Sequence, residues 1–134
     1  MQDDLIAIGE LARRAAIPTS TVRYYERRGL VQPDERRSGQ RRYREDTVRL
    51  VVFIGMLKDA GLSLEDIDGI LNAGAVSEWK AIGRRRLAAL DEEIARLEDA
   101  RNYLRGALLC RYDHPASECK IMGTEIDRRL QLHP

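Results

Sequence analysis

The stretch IGELARRAAIPTSTVRYYERRGLVQPDERRSGQRRY, residues 8–43, decides the fold. Leu11, Ala12 and Ala15, spaced by three and four, predict a short helix over 9–16. Pro18 pushes Ile17 out of helical geometry and ends it. Thr19 is a residue type that caps a helix start, so a second helix is expected over 19–28, with Val22 facing inward and Gly29 as a left-handed stop. Leu30 and Val31 supply apolar anchors just beyond it. The polar run 33–40, with its Ser38-Gly39 turn signal, reads as a loop flanked by arginines. Two short helices, a tight break and a basic loop, in that order, make a helix-turn-helix followed by a wing, an arrangement suited to gripping double-stranded DNA.

The distribution of charge agrees. Residues 13–49 hold eleven arginines, no lysine and five acids, in a 134-residue chain whose formal net charge is only +1. A basic module inside a nearly neutral chain is the electrostatic footprint of phosphate binding. Other classes are excluded. No apolar run approaches the ~18 residues of a membrane span. The start Met1-Gln2-Asp3-Asp4 is acidic and unlike a signal peptide, so a cytoplasmic protein is expected. Two cysteines in that compartment are expected as free thiols, ligands or redox sensors rather than a structural disulfide. No phosphate loop, serine-histidine-acid arrangement or paired-carboxylate cleft stands out, so the chain is not expected to be an enzyme.

A helix in the major groove presents its N-terminal half to base edges, which singles out Ser20, Thr21 and Arg23. Arg23 offers a bidentate fork to a guanine or to a phosphate. Tyr24 and Tyr25 point about 100° apart on a helix, so one is expected to pack inward and the other to reach phosphate or sugar. Arg14 and the wing arginines Arg36, Arg37, Arg41, Arg42 and Arg44 are the expected phosphate contacts. Tyr43 is expected to close the wing against the core, with its hydroxyl toward the nucleic-acid backbone.

Beyond the wing, a third helix is expected from Glu45-Asp46, buried along Val48, Val51, Val52, Gly55 and Met56 and stopped by Gly61. Ser63-Leu64-Glu65-Asp66 resembles a capping box and opens a fourth helix to about residue 71. After the break at Asn72-Ala73-Gly74, a long helix is expected over 77–109. Leu87, Leu90, Ile94, Leu97, Leu104 and Leu108 recur along it in alternating steps of three and four, with Arg101 at the one position that breaks the series. At 1.5 Å per residue such a helix spans roughly 50 Å. It is too long and too narrowly apolar for the preceding module to bury, and a second copy of itself is the simplest partner. Glu93, Glu98, Arg86 and Arg105 flank the seam and are expected to set its register. The fold expected is thus mainly all-α: a winged helix-turn-helix domain (1–74), a dimerisation helix (75–109), and an effector loop with a short helix (110–134).

That last segment carries Cys110, His114 and Cys119, spaced C-x3-H-x4-C around a stiffening Pro115. Thiolate sulfur and imidazole nitrogen suit zinc and other soft or borderline ions. A fourth ligand is open among Asp113, Glu118, Glu78, water and an exogenous group. Two-coordinate binding of a monovalent soft ion by the two cysteines, a redox pair, and a structural or organic-effector role are the other readings.

Together these motifs resemble the MerR family of transcription activators. The resemblance rests on IGELARRA at 8–15, TSTVRYYERRGL at 19–30, SGQRRY at 38–43 and the helix pair over 48–71 with its GLSLEDI. It implies that Ser20, Thr21, Arg23, Tyr24 and Tyr25 lie on the groove-binding helix and that Arg41, Arg42 and Tyr43 lie on a first wing. It implies a second wing at the 58–63 corner, where Lys58 would touch phosphate. It further implies a homodimer on an antiparallel coiled coil, gripping a pseudo-palindromic promoter operator. Effector binding near the coil ends would then bend and underwind the DNA, acting indirectly on RNA polymerase. The C-terminal loop resembles that of the zinc- and copper-sensing members. Two departures are Gln40, where an aromatic residue is common, and the lack of a cysteine in Gly74-Ala75-Val76-Ser77-Glu78-Trp79. The same DNA-binding regulator triggered by redox change or a small organic ligand is an alternative. An effector-independent DNA-bending accessory protein is another, and the long helix argues against it.

Overall fold

The computed structural model describes residues 5–132; the acidic start at 1–4 lies outside the described residues. Helix α1 spans Ile8–Ala15 and α2 spans Thr19–Arg27. Between them Ala16 takes a left-handed φ of 59°, and the amides of Ala16 and Ile17 donate to the Arg13 and Ala12 carbonyls, which closes α1. Thr19 is not the cap of α2. That place belongs to Pro18, whose extended backbone (φ −68°, ψ 153°) leaves its carbonyl to accept the Thr21 amide at 3.0 Å, and no side chain caps the helix. Proline's ring already fixes the φ that the cap position uses, so the helix starts one residue earlier than side-chain capping requires. Gly29, at φ 75°, stops α2 as expected, with the Leu30 amide returning to the Tyr25 carbonyl.

The polar run after α2 is a hairpin rather than a plain loop. Strand β2 (Glu35–Arg37) pairs antiparallel with β3 (Gln40–Tyr43) across Ser38 and Gly39, both at positive φ (52° and 78°). Two consecutive positive-φ residues form the primed turn whose twist matches that of a hairpin. A further strand, β1 (Ile6–Ala7), pairs with the other edge of β3, giving the order β1-β3-β2. Strands of two to four residues are too short to show a period of two, so β1 left no signal in the sequence.

Helices α3 (Asp46–Asp59) and α4 (Leu64–Leu71) complete this unit. Its core is Leu11, Ala12, Val22, Tyr25, Leu30, Val31, Tyr43, Val51, Ile54 and Ile67. The stripe expected on α3 is partly wrong: Val51 and Ile54 are buried, whereas Val52 and Met56 are exposed. Residues 50–57 are an unbroken apolar run, so spacing alone could not select the inward face. Ser63 caps α4 as expected, its Oγ accepting the Asp66 amide at 3.0 Å.

Helix α5 runs over Val76–Ala107. Near its start the Gly74 amide donates to Glu78 Oε2 at 3.0 Å, which engages one of the carboxylates considered as a metal ligand. The short α6 (Pro115–Glu118) and α7 (Lys120–Leu132) follow. By packing, the chain forms two compact units, Met1–Arg86 and Leu87–Pro134, so the opening turns of α5 belong with the first. Arg86, expected to flank a coiled-coil seam, instead donates from Nε to the Ala60 carbonyl at 2.8 Å. No helix among the described residues is long and apolar enough to cross a membrane.

The capping geometry separates two residues of similar chemistry. Ser63→Ala is expected to destabilise the chain by about 1 kcal/mol, and Thr19→Ala to change it by less than about 0.5 kcal/mol, as measured by urea unfolding.

Candidate nucleic-acid interface and thiol site

On α2, Ser20 and Arg23 are exposed, and Thr21 and Tyr24 are half-buried. Arg23 enters no ion pair among the described residues, so its fork is available. One of the two tyrosines packs inward, as expected. Tyr25 is 3% exposed and packs in the core, where burial pushes its phenol above the usual range and the nearby Asp59 charge adds to the shift. Tyr24 stays at the surface with the Arg27 guanidinium 5.8 Å from its ring centre. Tyr25 thus anchors α2 in the core of the first unit.

The wing is held to α2 by Glu26, a residue that no sequence motif singles out. Arg41 and Tyr43 lie two apart on β3 and so share a face. Arg41 Nε donates to Glu26 Oε2 at 2.7 Å, and the Tyr43 hydroxyl donates to Glu26 Oε1. The Glu26 side chain is only 10% exposed. Tyr43 closes the wing against the core, fully buried, but its hydroxyl turns to Glu26 and not outward. The available signal for Glu26 was its position as an acid among arginines.

The other cations are spread around this frame. Arg36 stands opposite Arg41 across the hairpin, and Arg42 opposite Glu35. Like charges directly opposite each other are unfavourable, and the Glu26 carboxylate on Arg41 offsets that repulsion. Arg37 Nε bonds Glu35 at 2.8 Å. Arg14 lies between Glu10 (2.7 Å) and Glu45 (2.6 Å), so a phosphate contact there requires exchange of partners. Arg13 and Arg14 together hold the Glu10 carboxyl down at about 2. Lys58, exposed near the end of α3, places its ammonium 5.6 Å from the Tyr25 ring centre.

The second unit brings the two cysteines together. The Cys119 sulfur sits where α7 begins and accepts the backbone amides of Met122 and Ile121. The Met122 amide, the largest influence, draws its pKa down; burial opposes this, and the Ile121 amide and Cys110 thiol add to the lowering. His114 does not join them. It caps α6 through its backbone, its carbonyl accepting the Ser117 and Glu118 amides at 3.2 and 2.9 Å. Among the described residues no three His, Cys, Asp or Glu side chains gather into a group that could hold a metal ion. The donors present are thus a pair of thiols, which fits a soft ion of low coordination number better than tetrahedral zinc. Beside them lies a cavity of about 680 Å³, lined by Tyr103, Leu109, Tyr112, Ile121 and Met122 among others. The expected seam is unburied: Leu87, Ile94, Leu97, Leu104 and Leu108 are 51–83% exposed, and Leu90 is half-buried.

Residues 6–74 match the family described as MerR HTH family regulatory protein, and residues 48–107 match the family described as MerR, DNA binding. The chain is 33% identical over 116 residues to the HTH-type transcriptional activator SoxR homolog of Chromobacterium violaceum, covering 82% of this chain and 78% of that one. It is 31% identical over 118 residues to the HTH-type transcriptional regulator HmrR of Sinorhizobium medicae, covering 84% and 75%. Among solved structures it resembles the transcription regulator PbrR691 from Ralstonia metallidurans in complex with lead(II), with a TM-score of 0.68 and 24% identity over 89% of this chain and 98% of that one.

Removing the carboxylate between helix and wing tests its role. Glu26→Ala leaves a buried phenol hydroxyl without its acceptor, and a loss of about 1–3 kcal/mol in unfolding free energy is expected. Glu26→Gln, which keeps an acceptor, is expected to lose less in the same denaturation assay.

Proposed function

The chain belongs to the MerR family of helix-turn-helix regulators, DNA-binding proteins and not enzymes, and from that premise we propose that it is a homodimeric activator that distorts promoter DNA in response to a thiophilic metal ion. One observation carries this reading. Helix α5 has no buried residue, and its leucine stripe faces solvent along the second unit. Such a stripe calls for a matching apolar surface, and antiparallel pairing with a second copy supplies one. Two copies joined in this way present two reading helices to a two-fold-symmetric operator, with Arg23 of each at base edges, Arg36, Arg42 and Lys58 on the backbone, and Arg37 and Arg41 there as well once they exchange their carboxylate partners. Dimer contacts then offset a DNA deformation of order 1–10 kcal/mol, which is read out as promoter activity by RNA polymerase.

The trigger is assigned to Cys110 and Cys119. A thiolate stabilised by two helix amides, with a second thiol in hydrogen-bond contact, is a donor set for a soft ion, and bound metal displaces the thiol protons. The mercuric resistance operon regulatory protein of Bacillus cereus, 40% identical over 65 residues (48% of this chain and 49% of that one), is a relative with a metal in its name. The cavity beside the thiols favours a second reading, in which a small apolar organic molecule is the effector. Titrating reduced protein with copper(I), zinc and mercury(II), while counting free thiols, separates the two. Protection of both thiols at or below micromolar metal supports the first reading, and two fully reactive thiols at saturating metal overturn it.

Two substitutions test the working parts. Arg23→Ala is expected to lower affinity for a selected operator by about 1–3 kcal/mol while sparing non-specific DNA, in fluorescence anisotropy; an equal loss on every sequence assigns Arg23 to phosphate. Cys119→Ser is expected to leave operator affinity unchanged and to abolish metal-induced transcription in a purified polymerase assay. Retained induction removes the sulfur from the mechanism.

A further inference from the structure

The corner between α3 and α4 meets other helices on two sides. On one side Lys58 lies over Tyr25 of the reading helix. On the other, Arg86 reaches across from α5. Its Nε donates to the carbonyl of Ala60, the C-cap residue of α3, at 2.8 Å. That carbonyl lies at the negative end of α3, where a guanidinium is electrostatically favoured. Gly61 adopts a φ of +84°, and a Cβ there would meet Arg86 Nη2 at 2.2 Å and Cζ at 2.7 Å. The guanidinium therefore lies close against the Gly61 backbone, whose left-handed φ favours glycine. Next to it, Arg85 approaches Asp66, in the first turn of α4, at 3.8 Å. Consecutive arginines at the start of the long helix thus hold both ends of the corner. Arg86 makes no ion pair among the described residues, so its anchor is the corner's backbone and not another charge.

We propose that Arg86 positions the α3–α4 corner against the DNA backbone, so that the phosphate contact made by Lys58 depends on a guanidinium carried by α5. A shift of the opening turns of α5 then reaches the DNA through the α3–α4 corner. The proposal rests on the reading of Lys58 as a phosphate contact, and the test keeps the two apart.

The measurement is the salt dependence of operator affinity between about 50 and 200 mM salt, for the full chain and for Lys58→Ala, Arg86→Gln and the double variant. Lys58→Ala is expected to reduce the log–log slope by about 0.9 for each phosphate that is no longer neutralised, or about 1.8 for a dimer in which each copy neutralises one there. Arg86→Gln is expected to reduce it by the same amount, and the double variant to match either single one. Additive reductions make Arg86 an independent charge and overturn the proposal, as does an unchanged slope in Arg86→Gln when Lys58→Ala lowers it. An unchanged slope in Lys58→Ala overturns the phosphate reading of the corner, and the proposal with it. Thermal unfolding of each variant reports whether the fold is kept. If Arg86→Gln unfolds, Arg86→Lys makes the same comparison, because it loses the planar fork while keeping the charge.

Discussion

The Glu26 carboxylate joins α2 to the β2–β3 hairpin. One oxygen accepts from Arg41 and the other from Tyr43, so the side chain is nearly enclosed without leaving its charge unpaired. The other placements in the first unit build on this junction. Tyr43 fills the centre of the core because its hydroxyl has an acceptor there. Strand β3 is held at that height, and β1 and β2 pair on either side of it. The arginines of the hairpin are therefore carried at a fixed offset from Arg23 on α2. An acid in the middle of a basic surface is here a structural element of that surface.

The second unit is governed by a different constraint. Its apolar side chains lie along α5 with little to cover them in a single chain, and α7 covers only part of the end of that helix. At that end the Tyr103 hydroxyl meets the Met122 sulfur at 2.7 Å and the Arg129 guanidinium lies 5.6 Å from the Tyr103 ring centre, so α5 and α7 are tied together where the thiols sit. The start of α7 lends its amides to Cys119, which favours the deprotonated sulfur that a soft metal requires. The opening turns of the same helix belong to the first unit.

Much of this was legible in the linear chain because short-range chemistry decides it. Pro18, Gly29, Ser38-Gly39 and Gly61 each impose a backbone conformation, and together they mark the corners of the first unit. The MerR-like runs at 8–15, 19–30 and 38–43 lie in the segments that became α1, α2 and β3. Three features were not legible. The inward face of α3 was hidden in a continuous apolar run, which has no periodicity to read. The partners of Glu26 lie 15 and 17 residues away, and no local pattern encodes that distance. The spacing C-x3-H-x4-C suggests a single three-ligand cluster, but spacing fixes only the reach of a loop and not the direction of each side chain; α6 turned His114 to a backbone role.

The sequence by itself determined the order of elements, the sign and location of the basic surface, and the apolar repeat along α5, because turn chemistry, net charge and apolar spacing are properties of neighbouring residues. The tertiary structure alone decided which tyrosine is buried, which acid unites helix and wing, which thiols meet, and that Arg86 rests on Gly61 at the α3–α4 corner instead of lining a coiled-coil seam. Each of those outcomes depends on residues distant in the chain arriving at the same place, and burial and hydrogen-bond satisfaction then choose among the side chains that local rules leave equivalent.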